Sequence, residues 1–101
     1  MAQQVRYGII GCGMMGQEHL RNIALLPDTS VAAIFEPDAD MAARAQALAP
    51  AALMVDSVAA LLAVPDLHCL LIVSPNFRHV GQLQDIAATR PLPVLVEKPL
   101  F

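Results

Sequence analysis

Five short apolar runs alternate with longer segments along this chain. The runs cover residues 5–10, 31–35, 53–55, 69–73 and 94–96. They are too short for helices and are rich in Val, Ile and Leu, and several are apolar at every position. This is typical of parallel strands that are buried on both faces. The amphipathic or alanine-rich segments between the runs predict helices over residues 14–26, 38–48, 57–63 and 78–89.

The order of these elements predicts an α/β fold. Parallel strands need crossover connections, and such crossovers are right-handed. Five strands with four crossover helices therefore predict a doubly wound, Rossmann-like parallel sheet, formed as one domain over residues 1–101. The pairs Pro37-Asp38 and Asp56-Ser57 support two of the helix starts, because a short polar side chain at such a position accepts a backbone N–H. In a sheet of this kind, ligands bind beyond the carboxyl ends of the strands.

A glycine-rich loop follows the first predicted strand. It reads Gly11-Cys12-Gly13-Met14-Met15-Gly16 and opens a predicted helix, which is the context that a dinucleotide-binding loop requires. Gly11 permits a tight turn, Gly13 lets the backbone approach a pyrophosphate, and Gly16 lets the helix pack closely. The N–H groups at the start of that helix can then bind the anion. We expect this loop to bind the pyrophosphate of a dinucleotide cofactor.

An acidic residue, Glu36, follows the second predicted strand. It lies 20 positions beyond Gly16, which is the interval expected of the acid that accepts hydrogen bonds from the adenosine ribose. A carboxylate at this place also repels a 2′-phosphate, so we expect NAD rather than NADP as the cofactor. A solvated turn formed with Pro37 and Asp38 is the alternative interpretation of Glu36.

Charge and cysteine content exclude several kinds of partner and compartment. Six basic and nine acidic residues give a net charge of −3 without a block of like charge, so neither nucleic acid nor an anionic membrane is an expected partner. No apolar run approaches the roughly 18 to 20 residues that span a bilayer, and we expect no signal peptide, because few residues precede the first predicted strand. Cys12 and Cys69 form no Cys-x-x-Cys pair, so a reducing, cytoplasmic location is expected.

The chain is apolar for a single small domain, with 56% hydrophobic residues. Alanine in the predicted helices accounts for much of this excess. The alternative is that one face of the domain packs against a partner domain that this sequence does not contain.

Two further motifs follow the later predicted strands. Ser74-Pro75-Asn76-Phe77-Arg78-His79 comes after the fourth strand, and Glu97-Lys98-Pro99 comes after the fifth. Together with the glycine loop, these motifs resemble the glucose-fructose oxidoreductase / inositol dehydrogenase family of NAD(P)-dependent enzymes. The resemblance covers essentially the whole chain, with the motifs in the same order and at matching strand ends. It implies an oxidoreductase that moves hydride between NAD and a hydroxyl-bearing carbon of a sugar or cyclitol.

The resemblance also implies roles for individual residues. Lys98 would be the catalytic residue that polarises the substrate oxygen, and Glu97 would lie beside the nicotinamide ribose. A cation at that oxygen stabilises the negative charge that develops there, which is consistent with such a role; a snorkelling surface lysine is the alternative. The residues expected to contact the rest of the cofactor, besides Glu36, are Gly11, Cys12, Gly13, Met14, Met15, Gly16, Ser74, Pro75, Asn76 and His79.

The histidines and Cys69 also have plainer interpretations. His79 could instead hydrogen-bond backbone at a helix start, and both His19 and His68 are expected to be structural. No metal-ligand spacing links the three histidines, so we expect no metal site. Cys69 lies within an apolar run and is expected to be a small core residue.

Similar enzymes continue into a second α/β domain, which forms the substrate wall and often mediates assembly. The resemblance therefore implies that this chain lacks the family's second domain and cannot form a complete active site by itself. It also implies a small sugar or polyol substrate and a homo-oligomer in the full-length form. The alternative function is a non-catalytic NAD-binding module or fragment that acts through a partner, because one fold hosts many functions.

Overall fold

The computed structural model describes residues 5–12, 14–73, 79–90 and 92–96. The described elements form one parallel sheet with crossover helices, as expected from the sequence. The elements in chain order are β1 (Val5–Ile10), α1 (Met14–Leu25), β2 (Thr29–Phe35), α2 (Ala39–Leu48), β3 (Leu53–Val55), α3 (Val58–Leu62), β4 (Cys69–Ile72), α4 (His79–Thr89) and β5 (Val94–Val96).

The sheet has the strand order β3-β2-β1-β4-β5, and every pair of neighbouring strands is parallel. The chain therefore winds outward from β1 in one direction through β3, returns to the centre, and winds outward in the other direction through β5. The point of reversal lies between β1 and β4. Sheets of this type bind ligands in the crevice beyond the carboxyl ends of these two strands.

The predicted element boundaries agree with the structure to within two residues. Asp38 caps α2, where its carboxylate accepts the N–H groups of Asp40 and Met41, each at 3.0 Å. Ser57 caps α3 through a 3.0 Å hydrogen bond from the N–H of Ala60 to its Oγ. The largest difference among the strands is that β2 begins at Thr29 rather than at residue 31, because Thr29 and Ser30 pair with the start of β1.

Apolar clusters cover both faces of the sheet. Neighbouring residues of a strand point to opposite faces, so Ile9 packs with Leu20 of α1 while Ile10 packs with Leu61 of α3. All four side chains are at least 99% buried. This two-sided burial explains why the strands lack an alternating polar pattern.

Several large apolar side chains are exposed. The most exposed are Leu25 (83%), Leu95 (60%) and Leu53 (56%). They belong to α1 and to the two outer strands β5 and β3, so they lie on separate elements at different places on the domain. In the part of the chain that the structure describes, no helix combines the length and the apolar character needed to cross a membrane.

Polar groups at the amino ends of the strands bind one another. The N–H of Arg6 donates to Nδ1 of His68 at 3.0 Å, and the N–H of His68 donates to the carbonyl of Arg6 at 2.9 Å. His68 therefore has the structural role that the sequence suggested. The turns at this edge include Asp28 and Asp66, which have left-handed backbone angles of φ 60° and φ 62°.

Arg90, which follows α4, forms further stabilising hydrogen bonds at the same edge. Its guanidinium donates to the carbonyls of Leu62, Val64 and Leu67 in the segment between α3 and β4, at 3.0, 2.5 and 3.5 Å respectively. These three residues are almost fully buried. Arg90 therefore satisfies the carbonyls where a helix end passes into the next strand.

Candidate functional site

The glycine loop turns sharply at the end of β1 and is packed against the start of α1. Gly11 has a left-handed φ of 91°, which a residue with a side chain rarely adopts. A Cβ placed on Gly16 would lie 2.7 Å from the carbonyl oxygen of Gly11 and 3.4 Å from the sulfur of Cys12. The geometry therefore favours glycine at both positions: the turn requires it at Gly11, and the close approach of the helix requires it at Gly16.

The side chain of Cys12 lies in the apolar core and not on the surface of the loop. It is fully buried, and it packs in the cluster that contains Ile9 and Leu20. Burial, together with the nearby Glu36 carboxylate, raises the pKa of the Cys12 thiol to about 12. The thiol is therefore protonated at neutral pH, and only the backbone of Cys12 could contact a cofactor.

The carboxylate of Glu36 joins the glycine loop to the turn after β2. Its Oε1 accepts the N–H of Cys12 at 2.7 Å, and its Oε2 accepts the N–H of Asp38 at 2.8 Å. Because an ionised carboxylate offers about four acceptor positions, roughly two remain after these bonds. Those positions can accept hydrogen bonds from two neighbouring hydroxyl groups, such as those of a ribose.

A crevice of about 450 Å³ opens beside Glu36. It lies between the ends of β2 and β3 and the first turns of α2 and α3, and its lining includes Ala42, Val55, Asp56 and Ala60. Small and apolar side chains make up most of this lining. The crevice has room for a flat ring with a polar rim, such as an adenine base, and its mostly apolar lining suits such a ring.

The sequence-predicted site residues fall into two groups. Within the described residues, Gly11, Cys12, Gly16 and Glu36 come together at the carboxyl edge of the sheet, Met14 and Met15 form the first residues of α1, and His79 is the first residue of α4. Gly13, Ser74, Pro75, Asn76, Glu97 and Lys98 lie outside the described residues. The structure brings the end of β4 next to that of β1, because the N–H of Val73 donates to the carbonyl of Ile10 at 2.8 Å.

Besides the bond from Cys12 to Glu36, a second contact of the loop was not anticipated from the sequence. Nε2 of Gln17 donates to the carbonyl of Cys12 at 3.4 Å, which ties the first turn of α1 to the loop. A glutamine in a helix carries no signal that could have identified this contact.

Among the residues that the structure describes, no three His, Cys, Asp or Glu side chains are placed to bind a metal ion.

Comparisons with known sequences identify relatives over nearly the whole chain. A family model described as "Oxidoreductase family, NAD-binding Rossmann fold" matches residues 5–101. The inositol 2-dehydrogenase of Streptomyces avermitilis is 36% identical over 101 residues, which are 99% of this chain and 29% of that protein. The rhizopine catabolism protein MocA of Rhizobium meliloti is 34% identical over 94 residues, 93% of this chain and 29% of that protein.

Solved structures show the same fold. The myo-inositol dehydrogenase of Lactobacillus casei, in complex with NAD(H) and myo-inositol, superimposes with a TM-score of 0.86 at 28% identity over 97% of this chain and 29% of that one. A 3-ketoreductase of Actinomadura kijaniata, in complex with NADP and TDP-benzene, gives a TM-score of 0.83 at 27% identity over 97% of this chain and 30% of that one. The chain thus spans about 29% of the length of the curated relatives that it matches.

Proposed function

Since the chain belongs to the oxidoreductase family with the NAD-binding Rossmann fold, the family of glucose-fructose oxidoreductase and inositol dehydrogenase, we propose that it is the N-terminal, cofactor-binding part of a dehydrogenase. The enzyme would move hydride between NAD and a hydroxyl-bearing carbon of a sugar or cyclitol. A second domain after residue 101 would complete the substrate site. The relatives named as inositol dehydrogenases support this substrate class.

One observation carries the proposal. A carboxylate at the end of β2 and a glycine turn at the end of β1 are joined by a 2.7 Å hydrogen bond beside an open crevice. The start of α1 presents backbone N–H groups to a pyrophosphate, and the remaining acceptor positions of Glu36 bind the adenosine ribose. This arrangement fits a dinucleotide that lies along the carboxyl edge from the crevice toward the ends of β1 and β4.

We propose NAD rather than NADP on the same ground. A 2′-phosphate would approach the Glu36 carboxylate, and Asp38 and Asp56, which follow β2 and β3, add negative charge nearby. Relatives bind either cofactor, as the complexes with NAD(H) and with NADP illustrate. The choice therefore depends on this chain's own residues.

The catalytic step is assigned to Lys98 from the sequence motif. The bound dinucleotide supplies the hydride acceptor. The Lys98 ammonium would lie at the substrate oxygen and stabilise the negative charge that develops on it. The residues proposed to border the cofactor on either side of the switch point are Gly13, Ser74, Pro75, Asn76, His79 and Glu97.

We further propose a homo-oligomer in a reducing cytoplasm. Cys12 and Cys69 are free thiols, which is consistent with that compartment.

Cofactor titration tests the first part of the proposal. In the natural full-length protein, NADH should bind at least about tenfold more tightly than NADPH, since one repulsive contact of this kind is worth about 1.4 kcal/mol or more. Calorimetric or fluorescence titration of both cofactors measures the ratio. Tighter binding of NADPH would contradict the assignment of Glu36.

Turnover on a panel of polyols and cyclitols tests the second part. Lys98→Ala should lower kcat by about 100-fold or more while the dissociation constant of NADH changes by less than about twofold. Arg44→Ala, which removes an exposed cation from α2, is the matched control and should change neither value. Binding of NADH without reduction of NAD by any alcohol of the panel would favour the non-catalytic module.

A further inference from the structure

We propose that Glu36 positions the glycine loop in addition to binding ribose. Its carboxylate would hold the pyrophosphate-binding loop in its active shape even when no adenosine ribose is present. This inference rests on the proposed function, because it concerns the same dinucleotide site. It assigns to Glu36 a second role that concerns the pyrophosphate end of the ligand.

The first ground is that two successive N–H groups of the loop donate hydrogen bonds to the last residue of β2 and to the residue after it. The N–H of Gly11 donates to the carbonyl of Phe35 at 2.8 Å, and the N–H of Cys12 donates to Oε1 of Glu36 at 2.7 Å. Both distances are short for N–H···O hydrogen bonds, and the second bond is to a charged group. The turn at Gly11 is therefore held at two points from β2.

The second ground is the burial of Cys12. This residue is fully buried, so its N–H needs an acceptor within the protein. Without Glu36, the loop would have to leave that donor unpaired or move it toward water, and an unpaired buried donor is strongly unfavourable. Glu36 therefore determines which loop conformation is stable.

The third ground is that the start of α1 is packed on the same turn. The Cα of Gly16 approaches the carbonyl of Gly11 so closely that an added Cβ would lie 2.7 Å from that oxygen. A displacement of the loop at Gly11 and Cys12 would therefore displace the first turn of α1. The N–H groups proposed to bind the pyrophosphate belong to this turn.

The carboxylate itself is fixed in orientation. Oε2 of Glu36 accepts the N–H of Asp38 at 2.8 Å, and Asp38 in turn caps α2 through its own side chain. The brace thus runs from the glycine loop through Glu36 to the start of α2. A side chain held at both oxygens acts as a rigid link, whereas a flexible one would contribute only an occasional contact.

A ligand that lacks the ribose hydroxyls separates the two roles. The probe is 2′,3′-dideoxy-ADP, which keeps the adenine and the pyrophosphate but offers no hydroxyl to Glu36. Glu36→Ala in the full-length protein should weaken NADH binding by about 30-fold or more, which is about 2 kcal/mol, and dideoxy-ADP binding by about fivefold or more, which is about 1 kcal/mol. The loss is larger for NADH because its ribose hydroxyls also lose their acceptor. ADP itself serves as the reference ligand that has both hydroxyls.

Two further variants control for charge and for folding. Asp40→Ala removes an exposed carboxylate from the first turn of α2, two residues from Asp38, and should change dideoxy-ADP binding by less than about twofold. Glu36→Gln keeps one acceptor oxygen but turns an NH₂ group toward the other N–H, so its effect on dideoxy-ADP should fall between that of wild type and that of Glu36→Ala. Because glutamine has nearly the same size and shape as glutamate, Glu36→Gln keeps the test available if the alanine variant does not fold.

Amide hydrogen exchange of the ligand-free protein gives a direct measurement. Both Glu36 variants should accelerate exchange at the Cys12 amide by tenfold or more, while the amide of Leu71 in the centre of β4 is unchanged. Unchanged dideoxy-ADP binding and unchanged Cys12 exchange in both variants, with weakened NADH binding, would overturn the positioning role and leave the proposed function intact. If the wild-type protein binds neither NADH nor dideoxy-ADP, the proposed function itself fails, and the inference fails with it.

Discussion

The two edges of the sheet use their polar groups in different ways. At the carboxyl edge, Glu36 accepts two backbone N–H groups, has acceptor positions left over, and lines an open crevice of about 450 Å³. At the amino edge, Arg6 and His68 bind each other, and Arg90 donates to three carbonyls. A cavity of about 230 Å³ at this edge, between α1, β2 and the end of α2, is lined mainly by apolar side chains.

This difference follows from the direction of the strands. All five strands are parallel, so each crossover helix begins at the carboxyl edge and ends at the amino edge. Helix starts offer free N–H groups, which attract anions, while helix ends offer free carbonyls, which an arginine can satisfy. One edge is therefore suited to binding a ligand and the other to closing the fold.

Gly16→Ala is expected to have the largest effect, and it acts at the carboxyl edge. The added Cβ would lie 2.7 Å from the carbonyl oxygen of Gly11 and must push α1 away from the loop. We expect a loss of about 2 kcal/mol in the free energy of unfolding. NADH binding should weaken on the order of 100-fold, which corresponds to the loss of about two charge-assisted hydrogen bonds. Urea unfolding and NADH titration measure the two effects.

Gly81→Ala is the matched control for this prediction. Gly81 lies in α4, is exposed, and has no heavy atom within 4 Å of the position of an added Cβ. The substitution should leave NADH binding unchanged and should raise the free energy of unfolding by up to about 1 kcal/mol, because alanine favours the helix. If Gly16→Ala behaved like Gly81→Ala, the close packing of α1 on the loop would have no functional importance.

Arg90→Ala tests the amino edge. It removes the donors for the carbonyls of Leu62, Val64 and Leu67, which lie in almost fully buried residues. The free energy of unfolding should fall by about 2 kcal/mol, while NADH binding to the folded protein stays within about twofold of wild type. Arg44→Ala removes an exposed arginine and should change neither quantity by a measurable amount. A large loss of NADH affinity in Arg90→Ala would contradict the separation of the two edges.

The alkaline pH dependence of stability tests the buried thiol beneath the glycine loop. The pKa of Cys12 is raised to about 12 in the folded protein, above the ordinary cysteine value of about 8.5. The folded state therefore keeps a proton that the unfolded state loses. Stability from this group is fully present below about pH 8.5 and is lost as the pH rises toward 12, at about 1.4 kcal/mol per unit.

Urea unfolding at pH 8, 9 and 10 measures this dependence. Cys12→Ala should be less stable at pH 8 but should lose less stability with rising pH than wild type. Some dependence remains in the variant, because burial also raises the pKa values of Tyr7 and Cys69. Parallel curves for wild type and Cys12→Ala would show that the thiol does not contribute.

Ser57→Ala is expected to have the smallest effect. It tests whether a polar side chain at the carboxyl edge contributes to stability without contributing to cofactor binding. Ser57 Oγ accepts the N–H of Ala60 and starts α3. Its loss should lower the free energy of unfolding by about 1 kcal/mol and leave NADH binding unchanged. Ser57→Asp keeps an acceptor and should retain most of the stability, as measured by thermal unfolding. A weaker cofactor affinity in Ser57→Ala would place Ser57 in the binding crevice instead.

The sheet and its helices could be predicted from the sequence because burial on both faces leaves a strong pattern. Apolar runs that alternate with helix-length segments predict parallel strands joined by right-handed crossovers, which leaves few possible folds. The caps at Asp38 and Ser57 mark two of the helix starts. The role of Gly11 in the turn followed from the same reasoning, because only a few residues tolerate its φ of 91°.

The detailed contacts of the site could not be predicted. The bond from Cys12 to Glu36 joins residues 24 positions apart, and its existence depends on the direction in which the loop N–H points. The burial of the Cys12 side chain and the contact of Gln17 with the loop likewise depend on how α1 packs against the sheet. Arg90 was not identified because its partners are backbone carbonyls, which leave no trace in the identities of the residues that carry them.

The two left-handed aspartates offer a route to protein engineering. Asp28 and Asp66 both lie in turns at the amino edge with φ close to 60°, a conformation that glycine adopts with less strain because it has no Cβ. Substitutions there could raise the melting temperature while the opposite end of the molecule is selected for a different coenzyme. Thermal robustness and coenzyme preference could thus be optimised in separate mutant libraries and then combined.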